Sequence, residues 1–178
     1  MGVGDQRIDV EALRAKVRDI SDFPQPGILF RDITPLLADA PLFRAVVKAM
    51  AAPFSGVSVV VAIESRGFIL GAPVAYELGA GLVPVRKAGR LPAATLREEY
   101  ALEYGTNAVE VHSDAIQPGV RVLIVDDLLA TGGTVRAAAN LVERLGAEVA
   151  GISVLAELAF LNGRQQLQGY DVRSLVVY

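Results

Sequence analysis

The sequence has no cysteine, no tryptophan and a single histidine, His112, among 178 residues. The missing cysteines exclude disulfides, thiolate metal sites and thiol nucleophiles, and they say nothing firm about compartment. A lone histidine is more often an ordinary strand or surface residue than a metal ligand, and no stronger metal-binding pattern occurs. No apolar run approaches the roughly 18 residues a membrane-spanning helix needs. The stretch from Met1 to Glu11 carries Asp5, Asp9 and Glu11 and has no apolar core, so it does not read as a secretory leader. Positive charge is not in excess either: 17 Lys and Arg face 20 Asp and Glu, a net charge of −3. That balance argues against a general nucleic-acid-binding surface but leaves room for a local basic pocket that holds a small anion. What is present is a hydrophobic fraction of 52%, enough to bury a core. A single domain over residues 1–178, in a cytoplasmic protein with no membrane or nucleic-acid partner, is therefore expected.

Asp9 is placed to cap a first helix in which Val10, Leu13, Val17 and Ile20 recur at three- and four-residue steps. Residues 21–35 hold Pro24, Pro26, Gly27 and Pro35 and cannot form a regular helix. They nevertheless contain Ile28, Leu29 and Phe30, which a solvated loop would not keep. A second helix is expected from Asp39, with Phe43, Val46, Val47 and Met50 on one face. Strands are then expected at Val59–Ile63, Leu82–Arg86, Val122–Val125, Val149–Leu155 and Leu175–Val177. Between them lie helices at Phe68–Leu78, stopped by Gly79, and around Val135–Leu145, stopped by Gly146. Continuous apolar strands alternating with helices predict an α/β fold with a mainly parallel sheet flanked by helices. One segment breaks this rhythm. Tyr100, Leu102 and Tyr104 alternate with Glu99, Ala101 and Glu103, and Val109 and Val111 alternate after Gly105-Thr106-Asn107. This predicts a hairpin with one packed and one acidic side, within a lid over about 88–112.

The most informative stretch runs from Val122 to Thr134. An apolar strand delivers Asp126 and Asp127 to its C-terminal end, where open α/β sheets bind ligands. The following Leu128-Leu129-Ala130-Thr131-Gly132-Gly133-Thr134 opens a helix. Its glycines let backbone N–H groups converge on an anion, with two threonine hydroxyls and the helix dipole in support. The loop lacks the lysine of a Walker A loop and the spacing of a dinucleotide turn. Acidic neighbours would repel a phosphate unless they serve hydroxyls, so sugar hydroxyls one ribose away from the phosphate fit Asp126 and Asp127. Glu64-Ser65-Arg66-Gly67 forms a second strand-to-helix turn, and Arg86 and Lys87 end another strand. Individually these charges also fit plain solvation; together they suit a pyrophosphate.

The string around Asp126–Thr134 resembles the ribose-phosphate signature of the type I phosphoribosyltransferase family, in the version carried by its adenine-using members. Phe23–Pro35, Glu64–Phe68, Val83–Lys87, Arg90-Leu91-Pro92 and Leu102–Gly105 match the family in order and spacing, whereas the first 20 residues and the tail from about Asn162 carry little of its signal. Ala88 and Arg90 stand where proline and lysine are frequent in the family. The resemblance implies the type I fold with an N-terminal hood over about residues 1–35. It implies that adenine and 5-phosphoribosyl-1-pyrophosphate (PRPP) give AMP and pyrophosphate, a purine-salvage reaction assisted by Mg²⁺. The metal is implied to be held mainly by PRPP, with Asp126 or Asp127 touching it through water, and a homodimer is implied as well. By the same resemblance Ala130–Thr134 hold the 5′-phosphate, and Ser65, Arg66, Arg86 and Lys87 contact the pyrophosphate. The Leu29-Phe30-Arg31 backbone reads the purine edge, with Phe30 and Leu128 on its two ring faces. On pattern alone Glu103 is a solvated carboxylate, as Glu98, Glu99 and Glu110 are expected to be; the resemblance makes Glu103 the group that handles the purine proton.

Two other classes are weighed. A regulator that senses PRPP without turnover would carry an output module such as a DNA-reading helix pair or basic arm, and none is visible. A nucleotide-binding dehydrogenase would need a strand followed by GxGxxG, which is absent.

Overall fold

The computed structural model describes residues 8–101 and 106–178. In chain order the elements are α1 (Val10–Ala15), β1 (Arg18–Ile20), β2 (Phe30–Asp32), α2 (Thr34–Leu37), α3 (Ala40–Ala51), β3 (Val59–Ile63) and α4 (Arg66–Leu78). They continue as β4 (Gly81–Lys87), β5 (Thr95–Ala101), β6 (Thr106–His112), β7 (Arg121–Leu129), α5 (Gly133–Arg144), β8 (Glu148–Glu157) and β9 (Val172–Val177). Two 3₁₀ turns, Ala159–Leu161 and Gly163–Leu167, join the last two strands.

Seven strands form one sheet in the order β5-β6-β4-β3-β7-β8-β9, and β1 and β2 form a separate two-stranded ribbon. Strands β4, β3, β7, β8 and β9 run parallel, while β5 and β6 are antiparallel additions at one edge. Strand β3 is the centre. Its β-branched run Val-Val-Val-Ala-Ile is buried on both faces, as a strand covered by helices requires. One core cluster lies beneath α5 and includes Val61, Ile63, Ile124 and Ile152; the other lies beneath α3 and α4 and includes Val60, Leu70, Leu123 and Leu155. Each fully buried side chain of this size contributes about 1.5–3 kcal/mol of hydrophobic free energy.

The chain lays β4 on one side of β3 and later returns to lay β7 on the other. Strand order therefore reverses between β3 and β7, and a crevice opens beyond their C-terminal ends. The expected caps hold: Asp9 accepts hydrogen bonds from the Glu11 and Ala12 N–H groups at the start of α1, and Gly79 takes the left-handed conformation that ends α4; Asp39, expected only to begin a helix, also caps α3 by accepting from the Leu42 N–H.

Three expectations are corrected. The first helix stops at Ala15, so Val17 lies beyond it and Ile20 ends the short strand β1. The predicted hairpin exists, and β6 also pairs with β4 and so joins the main sheet, but Thr106 and Asn107, expected in the turn before its second strand, open β6 itself. Its acidic side is not solvated throughout, because Ala108, Val109, Glu110 and Val111 are all buried in succession. Pairing with β4 and β5 closes the two edges of β6, while α5 packs on one face and the Arg90–Leu91 backbone meets Glu110 on the other; the alternation of Val109 and Val111 does not reveal either cover.

Candidate active site

Strand β3 ends at Ile63, and the next residues turn directly into α4 at Arg66. Beside them, β7 carries Asp126 and Asp127 at the point where it leaves β3: the last paired position is Ala62 with Val125. Close packing is required here. A methyl group on Gly67 would lie 2.8 Å from Asp126 Oδ1 and 3.1 Å from the Val125 carbonyl, so only glycine lets α4 start against β7. The Glu64–Ser65 peptide bond is cis.

A cavity of about 360 Å³ occupies this crevice. It is lined by Ser65, Arg66, Lys87, Asp126, Asp127, Leu128 and Thr134, all expected from the sequence to form the site. Glu64, Tyr100 and Asn107 also line it. They were missed because their chemistry is unremarkable alone and only the sheet order brings the β5–β6 hairpin over β7.

The two adjacent carboxylates are unlike. Asp127 is 6% exposed and forms an ion pair with Arg66, whose Nε lies 2.8 Å from Oδ2. Burial raises the Asp127 pKa above the ordinary carboxylate range, with Arg66 working in the opposite direction. Asp126 accepts a 2.8 Å hydrogen bond from the Asp127 N–H. Burial, reinforced by the neighbouring Asp127 charge, pushes its pKa well above the usual range.

Arg66 has further partners: Nη1 donates to the Arg31 carbonyl at 3.2 Å, and the guanidinium lies 4.8 Å from the centre of the Phe30 ring. It also lines a neighbouring apolar cavity of about 370 Å³, with Phe23, Phe30, Ile33 and Ile69. Phe30 and Leu128, expected on the two faces of one base, thus line two cavities that share Arg66. The Arg31 side chain turns away, pairing with Asp19 and stacking 3.9 Å from the Tyr178 ring centre. Leu29 is exposed.

Arg86 is not free at the site. Its Nε lies 3.2 Å from Glu64 Oε2, and Nη1 donates to the Arg90 carbonyl at 3.0 Å. Burial acts to raise the Glu64 pKa, but Arg86 and the Lys87 N–H outweigh it and hold it below its ordinary value. Lys87 lines the main cavity.

The glycine loop leads into α5. Gly132 has φ +85°, a left-handed conformation that favours glycine, and caps the helix without a side chain. Thr131 and Gly133 border a third cavity of about 260 Å³ that also touches Tyr100, Arg136 and Asn140. Ala130 follows Leu129, the end of β7.

Glu103 lies outside the described residues. Of the other hairpin carboxylates, Glu99 is exposed as expected, but two are not simply solvated. Glu98 accepts hydrogen bonds from Asn140 and Arg144, each at 2.8 Å. Glu110, 5% exposed, accepts from the Arg90 and Leu91 N–H groups at 2.8 and 2.9 Å. Burial acts to raise its pKa, but these backbone donors bring it below its ordinary value. The signal for Glu110 lay in its neighbours: it stands between two buried valines on a strand that continues the sheet.

Among the described residues no three His, Cys, Asp or Glu side chains gather as a metal site. Asp126 and Asp127 are nevertheless hard oxygen donors of the kind that suit Mg²⁺ beside substrate oxygens and water. No described helix is long and apolar enough to cross a membrane.

Comparison with known proteins is consistent with this geometry. The phosphoribosyl transferase domain matches residues 37–175. The adenine phosphoribosyltransferase of Desulfitobacterium hafniense is 58% identical over 164 residues, spanning 91% of this chain and 95% of the relative. The crystal structure of the Thermoanaerobacter pseudethanolicus adenine phosphoribosyltransferase superposes with a TM-score of 0.91 at 53% identity, covering 95% of this chain and 99% of that one. The Saccharomyces cerevisiae adenine phosphoribosyltransferase, solved with an imino-altritol bisphosphate and adenine, gives a TM-score of 0.88 at 38% identity, with 93% and 97% covered.

Proposed function

The chain belongs to the phosphoribosyl transferase domain family, and from that premise we propose how its residues convert adenine and PRPP into AMP and pyrophosphate. The observation that carries the reading is the crevice at the strand-order reversal. There two carboxylates, a basic turn and Thr134, the threonine that follows the glycine loop, border one cavity sized for a sugar phosphate, while Thr131 and Gly133 border the cavity beside it.

In this assignment the 5′-phosphate of PRPP sits on the N–H groups and hydroxyls of residues 130–134, at the start of α5. Asp126 and Asp127 accept hydrogen bonds from the ribose hydroxyls. Ser65, Arg66 and Lys87 face the pyrophosphate, and Arg86 reaches it by exchanging Glu64 for the ligand. The purine lies against the hood, its edge read by the backbone of Leu29–Arg31, with Phe30 and Leu128 on its faces.

Bond formation from adenine N9 to the anomeric carbon accompanies departure of pyrophosphate with the bonding electron pair. The imidazole half of adenine must then lose a proton. Glu103 takes it, a role worth ~10²–10⁴ in rate for a positioned carboxylate. Exclusion of water by the hairpin protects the cationic sugar centre from hydrolysis. Mg²⁺ is the expected cofactor: Asp126 or Asp127 would hold it through its water shell, and when bound it would supply positive charge beside the pyrophosphate.

A homodimer and a cytoplasmic location belong to the same proposal. Tyr76 on α4, at 88% exposure, and the half-exposed Leu82 on β4 are apolar side chains that a second copy would cover. The charged substrate does not cross membranes unaided, which places the enzyme where PRPP is made. Gel filtration tests the dimer. Steady-state AMP formation at varied PRPP, with and without Mg²⁺, tests the reaction. Tight PRPP binding without turnover would instead favour a sensor.

A further inference from the structure

The floor of the glycine loop is made by a part of the chain with little recognisable sequence signal. Leu129, the last residue of β7, stands in register with Glu157 on β8, and its carbonyl accepts the Leu158 N–H at 2.9 Å. After β8 the chain returns, and the turn beginning at Gly163 presses against the loop. A methyl group on Gly163 would overlap the Ala130 carbonyl oxygen and lie 3.1 Å from Leu129 Cδ1. A methyl group on Gly132 would overlap the Gly163 carbonyl oxygen and lie 3.1 Å from Gln166 Cβ. The two backbones therefore touch at two points, on either side of Thr131.

One side chain locates that turn. Arg164 donates from Nε to Glu157 Oε1 at 2.8 Å and from Nη2 to Oε2 at 2.8 Å. It also donates from Nη2 to Ser174 Oγ and from Nη1 to the Val172 carbonyl, both at 3.0 Å. Ser174 Oγ in turn donates to Glu157 at 2.7 Å. Glu157 is 5% exposed, does not line the substrate cavity, and is held ionised by Arg164. A bidentate pair fixes orientation as well as distance, which an apolar contact of equal area does not.

We propose that Glu157 and Arg164 are positioning residues for the phosphate-binding loop, acting through the backbone of Gly163. This rests on the assignment of residues 130–134 to the 5′-phosphate. The pair sets where the Ala130 and Gly132 backbones stand, and so where the loop N–H groups converge.

The test compares AMP and adenosine, which differ by the 5′-phosphate alone, by titration calorimetry on wild type, Arg164→Met, Arg164→Lys and Gly163→Ala. Wild type is expected to bind AMP more tightly than adenosine. Arg164→Met and Gly163→Ala are each expected to shrink that phosphate advantage by about tenfold or more, the scale of a misplaced positioning contact, with adenosine affinity unchanged. Arg164→Lys should recover part of it. If Arg164→Met fails to fold, Arg164→Lys, which keeps the charge but not the bidentate fork, decides by losing part of the phosphate advantage with adenosine affinity unchanged; Gly163→Ala tests only the backbone contact through which the pair acts. An unchanged phosphate advantage in the variants would overturn the proposal, as would equal weakening of both ligands, which would assign the pair to overall stability. No phosphate advantage in wild type would overturn the loop assignment itself, and the inference with it.

Discussion

The guanidinium of Arg66 joins the hood to the acidic strand end: Nε is 2.8 Å from Asp127 Oδ2, and Nη1 is 3.2 Å from the Arg31 carbonyl. One residue at the start of α4 thus touches both the segment expected to read the base and the strand expected to hold the ribose. Lysine would keep the charge but not the fork that reaches these partners together. Arg66→Lys is expected to raise KM for adenine and for PRPP, each by about tenfold. Initial-rate kinetics at varied concentrations of both substrates check this; a change confined to PRPP would reduce Arg66 to a pyrophosphate contact.

Asp126 is held at a cost to the fold. Its pKa is raised by burial and by the charge of Asp127, so the native state binds this proton more tightly than the unfolded chain does. Its contribution to stability therefore falls as pH rises from the unfolded carboxylate value, near 4, through the raised folded value. Asp126→Asn keeps an acceptor for the Asp127 N–H and removes the charge. It is expected to gain on the order of 1 kcal/mol at pH 7, or roughly 2–4 °C in Tm, with a loss of AMP formation. The difference from wild type should shrink as pH approaches 4. Calorimetric melting of both proteins across that range checks it, and an unstabilised variant at pH 7 would count against the account.

Glu110 acts in the opposite sense. It anchors the Arg90–Leu91 backbone by two N–H donors, and its folded pKa is lowered. The stability it contributes is present above the unfolded carboxylate value and is lost as pH falls through the folded one. Glu110→Ala leaves two partly exposed backbone donors without their carboxylate and is expected to cost about 1 kcal/mol at neutral pH. Urea unfolding at pH 7 measures this, and Glu110→Gln should cost less because an acceptor remains.

Glu103→Gln is expected to lower kcat by ~10²–10⁴ while leaving the KM for PRPP nearly unchanged. Rapid-mix kinetics of AMP formation check it. Turnover untouched by the substitution would return Glu103 to the role of a solvated carboxylate.

Local order was legible wherever one strand or helix carries its own pattern. Val59–Ile63 is the observed β3 to the residue, and Asp39 and Gly79 mark helix ends by cap chemistry. The Asp126–Thr134 string placed its loop at the sheet edge because strand, carboxylates and glycines are contiguous. Relationships between distant segments were not legible. Nothing local to Arg66 says that its partners are Asp127 and the Arg31 carbonyl. The contact of Gly163 with Ala130 exists only because β8 runs beside β7 and the chain then doubles back. Glu110 was misread because alternation describes one strand, whereas burial on both faces depends on the neighbours it acquires.

The most direct test of the central claim is the initial rate of nucleotide formation from PRPP and Mg²⁺ with adenine, hypoxanthine or guanine as acceptor. The account predicts AMP formation with a kcat/KM for adenine well above those for the other two purines. Absence of AMP, or a higher kcat/KM with hypoxanthine or guanine, would contradict it.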